Sequence, residues 1–167
     1  MKNKKRELVI SFIPMIIMMI VIFAFSAKNG TESSKTSGET VNVMITIFGK
    51  IPGLKMGTFD KDILSSYMEL PVRKIAHMLE YAVLLATIYI PIHINFKIKL
   101  SHKAIISYII ALLYAISDET HQLFVPGRSG RVIDVCIDSI GIITSLIILT
   151  IIFVKIQKKQ ERKGLKE

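Results

Sequence analysis

The chain has a single cysteine, Cys136, in 167 residues. It therefore cannot close an internal disulfide, and one thiol inside an apolar stretch argues against a cysteine-based zinc site. Internal repeats and low-complexity segments are absent. Ser117 and Ser129 are the hydroxyls nearest the charged segments, and neither sits in a recognisable nucleophile motif. Acidic residues are few: 13 Asp and Glu stand against 22 Lys and Arg, a net charge of +9. Charge disappears altogether from long stretches. Leu8 to Ser26 runs 19 residues without Asp, Glu, Lys or Arg, Ser139 to Val154 and Tyr81 to Phe96 run 16 each, and Ala104 to Ser117 runs 14. Crossing the hydrocarbon of a bilayer takes about 20 predominantly apolar residues. Four such runs in a chain of one-domain length exclude a soluble globular domain. The Lys and Arg residues flank these runs, which marks them as anchors of membrane spans rather than as a nucleic-acid surface.

The expected fold is an all-α integral membrane protein with four spans, roughly Leu8–Ser26, Val72–Ile92, Ala104–Phe124 and Val132–Val154. With the N-terminus inside, the inside segments are 1–7, 94–103 and 155–167. They hold 13 Lys and Arg in 30 positions, against 9 in the 55 outside positions 27–74 and 125–131. That asymmetry predicts a multi-pass cell-membrane protein with both termini cytoplasmic. The domain map is then a basic head 1–7, a membrane domain 8–154 with an outer loop 27–71, and a basic tail 155–167. The first span has a rival reading as a cleaved signal peptide, with Lys2, Lys4, Lys5 and Arg6 as its head and Ala24-Phe25-Ser26 as the cleavage triplet. Its apolar part, 18 residues to Phe25, exceeds the roughly 7–15 of a signal core, which favours a retained anchor.

Within the outer loop, Asn29 to Glu39 is rich in Gly, Ser and Thr and reads as a flexible linker. Val41 to Phe48 is apolar but too short to cross, and is expected to lie at the outer surface as an interfacial helix. Gly49, Pro52, Gly53 and Gly57 break it up. Asp60 is placed to cap a short helix running to Glu69, and Pro71 suits the first turn of the second span.

The chemistry sits in charges that spans should lack. Arg73, His77 and Glu80 are spaced to share one helical face. Asp118, His121 and Gln122 repeat that spacing in the third span, with Glu119 on an adjacent face. Arg131, Asp134 and Asp138 repeat it at the fourth, continued by Gly141 and Ser145. Given the directions of the spans, all three groups fall at one height in the outer half of the membrane, beside the loop Val125-Pro126-Gly127-Arg128-Ser129-Gly130. An ionised Asp at mid-span costs about 2.5–3.5 kcal/mol. Glu80, Asp118, Asp134 and Asp138 must therefore face one another, the arginines, a metal or water. A polar pocket open to the outer face follows. Each part also has a plainer use: Arg73, Lys74 and Arg131 as snorkelling anchors, His77 as a helix–helix hydrogen-bonding residue, Asp134 and Asp138 as partners of arginines, Gly127 and Gly130 as turn residues.

At these residues the sequence resembles the VanZ-like family of small multi-span membrane proteins. The resemblance is carried by Arg73-Lys74-Ile75-Ala76-His77-Met78-Leu79-Glu80-Tyr81, and by Ser117 through Gly130. It continues in Asp134-Val135-Cys136-Ile137-Asp138-Ser139-Ile140-Gly141. It includes Phe25-Ser26 and spans nearly the whole chain between the basic ends. No charged position departs from the pattern; Val132 stands where a small residue is preferred. The resemblance implies an integral membrane protein of low-GC Gram-positive type, with members linked to lowered sensitivity to teicoplanin-like glycopeptides. It brings no settled reaction and no cofactor.

Four functions compete. In the first, the pocket acts on or binds a membrane lipid or lipid-linked cell-wall precursor. Arg73, Arg128 and Arg131, with Gln122 and Asp138, would hold a phosphate or carboxylate. His77 or His121 would move the proton, oriented by Glu80, Asp118 or Asp134. The second is a metal-dependent membrane enzyme, because His77-x-x-Glu80 and Asp118-x-x-His121 each pair two ligand types on a helix face. The third is a proton-coupled transporter, weakened by inner halves nearly free of polar residues and by the lack of a repeat. The last is a structural or partner-binding protein, a homo-oligomer included. Whether the chain is an enzyme stays open, and His93 and His102, at the inner loop, receive no role.

Overall fold

The structure, a computed structural model, describes residues 2–50 and 61–164. Those residues form six helices in the order α1 Lys2–Ser11, α2 Ile13–Ser26, α3 Gly30–Phe48, α4 Lys61–Asn95, α5 Leu100–Gln122 and α6 Val132–Gly164, with no strand among them. Four stretches are long and apolar enough to cross a membrane: Lys4–Ser26, Ile63–Asn95, Leu100–Gln122 and Val132–Arg162. Each of the four expected spans falls within or beside one of them. The first is two helices interrupted at Phe12, where Pro14 in the first turn of α2 lacks the N–H that would bond back into α1.

Two expectations about the outer loop need correction. Asn29 to Glu39 is not a linker: it opens α3, a helix of 19 residues. Asn29 caps it by accepting the Glu32 N–H at 2.9 Å, and Glu32 lies in the first turn where the helix dipole favours an acid. The hydroxyls that suggested flexibility fold back on the helix, Thr36 onto the Glu32 carbonyl, Ser37 onto Ser33 and Thr40 onto Thr36. Nor is there a short helix ending at Glu69, for α4 runs unbroken for 35 residues with Pro71 and Pro91 inside it. Pro71 forgoes one bond, to the Tyr67 carbonyl, without ending the helix. The expected breakers Pro52, Gly53 and Gly57 and the cap Asp60 lie outside the described residues.

Helix α4 is the axis of the molecule and packs against α2, α3, α5 and α6. Tyr81, Leu84, Leu85 and Ile88 on α4 meet Ile22 of α2, Ala111 and Ala115 of α5, and Ile142 of α6 in the core. Lipid tails are as apolar as leucine, so burial alone does not hold such helices together; close backbone approach and hydrogen bonds do. Gly141 supplies the approach between α4 and α6, since a Cβ there would fall on the Met78 carbonyl. The Tyr114 hydroxyl donates to the Met19 carbonyl at 2.6 Å and ties α5 to α2. The outward faces carry Ile, Leu and Val almost throughout, as lipid requires.

The 35 residues of α4 would measure about 52 Å at about 1.5 Å each, well beyond the roughly 30 Å of hydrocarbon. Its excess lies at the N-terminal end, where α3 packs on it. The excess of α6 is at the opposite end and carries Lys155, Lys158, Lys159 and Arg162.

Candidate functional site

The polar segments meet where the first half of α4, the end of α5 and the start of α6 converge. A cavity of about 340 Å³ lies there. Arg73, Lys74 and His77 reach it from α4, and Glu119 and Gln122 from α5. Arg128, Ser129 and Arg131 come from the connecting loop, and Asp134 and Asp138 from α6.

Helical spacing explains why these side chains point together. Arg73 and His77 are one turn apart, as are Asp134 and Asp138, so each pair occupies one face. The loop is set by Gly127, whose φ of +73° is the left-handed conformation that favours glycine. Its turn brings the Pro126 carbonyl to the Gly30 N–H at 3.0 Å, pinning the loop to the start of α3.

Three of the four cations of the cavity have side-chain partners. Arg73 donates to Glu69 at 2.8 Å, to Ser34 at 3.0 Å and to Ser37 at 3.3 Å. Lys74 pairs with Asp134 at 2.6 Å. Arg128 donates through Nη2 and Nε to the Gln122 Oε1 at 2.8 and 3.2 Å, and through Nη1 to Ser33 at 2.5 Å. Its hydrogen-bond acceptors are thus all neutral, and burial pushes its guanidinium below the usual arginine range, with Arg73 adding to the effect; it remains a cation. At Arg131 the backbone N–H donates to Glu119 at 2.9 Å, while the residue itself is exposed at the rim.

Beneath the cations lies a layer of acids. Gln122 passes the network inward by donating to Asp118 at 3.2 Å. Glu80 is 4.0 Å from His77. Asp118 and Asp138 are almost fully buried, 3% and 1% exposed. One oxygen of each, with Glu80 Oε2 and His77 Nδ1, is buried without a hydrogen-bond partner.

Of the ten residues expected at the site, Arg73, His77, Gln122, Arg128, Arg131, Asp134 and Asp138 border the cavity. Glu80 and Asp118 belong to the layer next to it, through His77 and Gln122. His121 stands apart: its ring lies against Phe23 of α2 with centroids 4.7 Å apart. The i+3 step from Asp118 that seemed to align it turns it toward the first span instead. His93 packs on Phe153 at 3.9 Å, distant from the site.

Besides Ser129, other contributors were not assigned to the site from sequence. Lys74 is the partner of Asp134, and Glu119 borders the cavity from the face thought adjacent. The serines of α3 were hidden by the linker reading. Ser33, Ser37, Val41 and Ile45 recur every fourth residue and are the buried face of α3, a periodicity that would have exposed the helix.

No three His, Cys, Asp or Glu side chains come together in a metal-holding arrangement among the described residues. The two His–carboxylate pairs singled out as ligand sets are separated, because His121 faces α2 and His77 faces the cavity.

The VanZ/LLP1 family model matches residues 11–153, which takes in every side chain of the cavity and the serine face of α3. The chain belongs to the VanZ/LLP1 family. No curated protein and no solved structure matches it. The VanZ/LLP1 match begins after the basic head and ends before the last lysines, so the family signature is the helical bundle itself.

Proposed function

We propose that this VanZ/LLP1 protein binds the headgroup of a membrane lipid or lipid-linked cell-wall precursor at the outer leaflet, and that this binding underlies lowered sensitivity to teicoplanin-type glycopeptides. One observation carries the reading: Arg73, Lys74, Arg128 and Arg131 border a single cavity of about 340 Å³ at one end of the bundle. A guanidinium fork is suited to phosphate or carboxylate oxygens, and Arg128, with only neutral acceptors, has charge to offer. His77 is the neighbouring group able to give or take a proton. The surround suits an occupant that stays in the bilayer, for Phe124 and Val132, 81% and 83% exposed, flank the loop that frames the cavity. The charge asymmetry of the loops supports a reading with this end outside and the α6 tail inside.

The test is lipid retention. Wild type and Arg128→Ala protein, purified in mild detergent, are compared for co-purifying lipid by mass spectrometry. Wild type should retain a phosphate-bearing lipid that the variant loses, with equal membrane abundance of the two. Identical lipid content in both would refute the reading.

A second reading has its own observation. Arg73–Glu69 and Lys74–Asp134 are internal ion pairs, and Arg73 and Arg128 tie α4 and the loop to α3, as a network that only holds the bundle would do. In that case Arg128→Ala lowers the melting temperature and the abundance together, and no lipid species is selectively lost.

A further inference from the structure

The cavity is not uniformly basic. Its rim cation Arg128 is hydrogen-bonded only to Gln122 and Ser33, neither of them charged. Its floor carboxylate Asp138 is 1% exposed, borders the cavity, and has Oδ2 without a partner. The carboxylates Glu119, Asp118, Asp134 and Glu80 lie around Asp138. Lys74, the ammonium that borders the same cavity, is paired with Asp134 at 2.6 Å. An anion alone would answer Arg128 and leave the buried Asp138 oxygen without a partner, while an N–H donor alone would do the reverse. Buried polar atoms are tolerated when hydrogen-bonded, so the complementary occupant offers an anion to Arg128 and an N–H donor to Asp138.

We propose that the cavity recognises a zwitterionic phospho-amine headgroup, its phosphate at Arg128 and Arg131 and its ammonium hydrogen-bonded to Asp138. This rests on the headgroup-binding reading and narrows it to a chemical class. A primary ammonium fits better than a quaternary one, because its N–H groups can donate to the free Asp138 oxygen whereas a trimethylated nitrogen has none to give. The same chemistry exists on a lipid and on a free phosphoamine, and the source is settled by the probes.

Full-length protein in micelles of a non-ionic detergent is titrated, by native mass spectrometry, with phosphatidylethanolamine, phosphatidylcholine and phosphatidylglycerol, and separately with soluble phosphoethanolamine. The expected result is phosphatidylethanolamine binding at least tenfold tighter than the other two lipids, with Asp138→Asn bringing it down to the phosphatidylglycerol level. Arg128→Gln should weaken all three. Comparing three ligands on the wild-type protein keeps the test independent of how well the variants fold. If phosphatidylglycerol binds wild type as tightly as phosphatidylethanolamine and Arg128→Gln abolishes both, the zwitterion is refuted while the headgroup site stands. If no lipid binds folded wild type, both fall. Soluble phosphoethanolamine binding as tightly as the lipid would keep the zwitterion and assign the site to a free ligand; much weaker binding assigns it to the membrane.

Discussion

At the residue scale the Lys74–Asp134 pair shows how the site divides structural from binding charge. The two side chains meet at 2.6 Å at the cavity border and are 41% and 26% exposed, and a pair this open contributes on the order of 1 kcal/mol or less to stability. We expect Lys74→Met to lower the melting temperature in detergent by a few degrees, and Asp134→Asn added to it to restore part of the loss, as a double-mutant cycle would measure. Sequence spacing had set Asp134 among the catalytic candidates, and it could not have shown this pairing. The i, i+4 rule says which side chains share a helix face, but not which groups on two helices meet across the gap. His121 is the converse failure. Three residues from Asp118 is near enough to share a broad face, yet the packing of α2 divides that face and takes the imidazole onto Phe23.

At the scale of elements, spans were easy to read and α3 was not. Apolar runs must be helical in lipid because no water there satisfies a free backbone, so Leu8–Ser26, Val72–Ile92, Ala104–Phe124 and Val132–Val154 were legible from length and charge alone. Composition misled at Asn29 to Glu39, where Ser and Thr compete with the backbone in an isolated helix, but Thr36, Ser37 and Thr40 are satisfied here on carbonyls one turn back. The Ser33 and Ser37 hydroxyls accept from Arg128 and Arg73. Helix α3 is thereby the positioning element for both arginines. We expect Gly30→Ala, whose Cβ would collide with the Gly127 carbonyl, to loosen the loop from α3 and weaken lipid retention by about tenfold or more. Susceptibility of the 123–131 loop to limited proteolysis in detergent should rise in parallel. Gly141→Ala is expected to act differently, since it forces α4 and α6 apart at Met78. It should cost about 1–3 kcal/mol, read as a lower midpoint of thermal unfolding with no change in loop proteolysis.

For the whole molecule, polarity is sorted by end. Apolar side chains face outward along the spans, a cavity bordered by cations and floored by carboxylates occupies one end, and the lysine-rich tail of α6 leaves from the other. That one-ended arrangement was the most legible feature of the sequence, because span direction and residue number together fix height along the bundle. Charge counting predicts that the cavity opens to the outer face, and accessibility tests that directly. In a Cys136→Ala background, Ser129→Cys places one thiol at the cavity border. Intact cells are treated with a membrane-impermeant maleimide, before and after saturation with phosphatidylethanolamine. The account predicts rapid labelling from outside, slowed by the lipid. Labelling only in inverted membrane vesicles would contradict it.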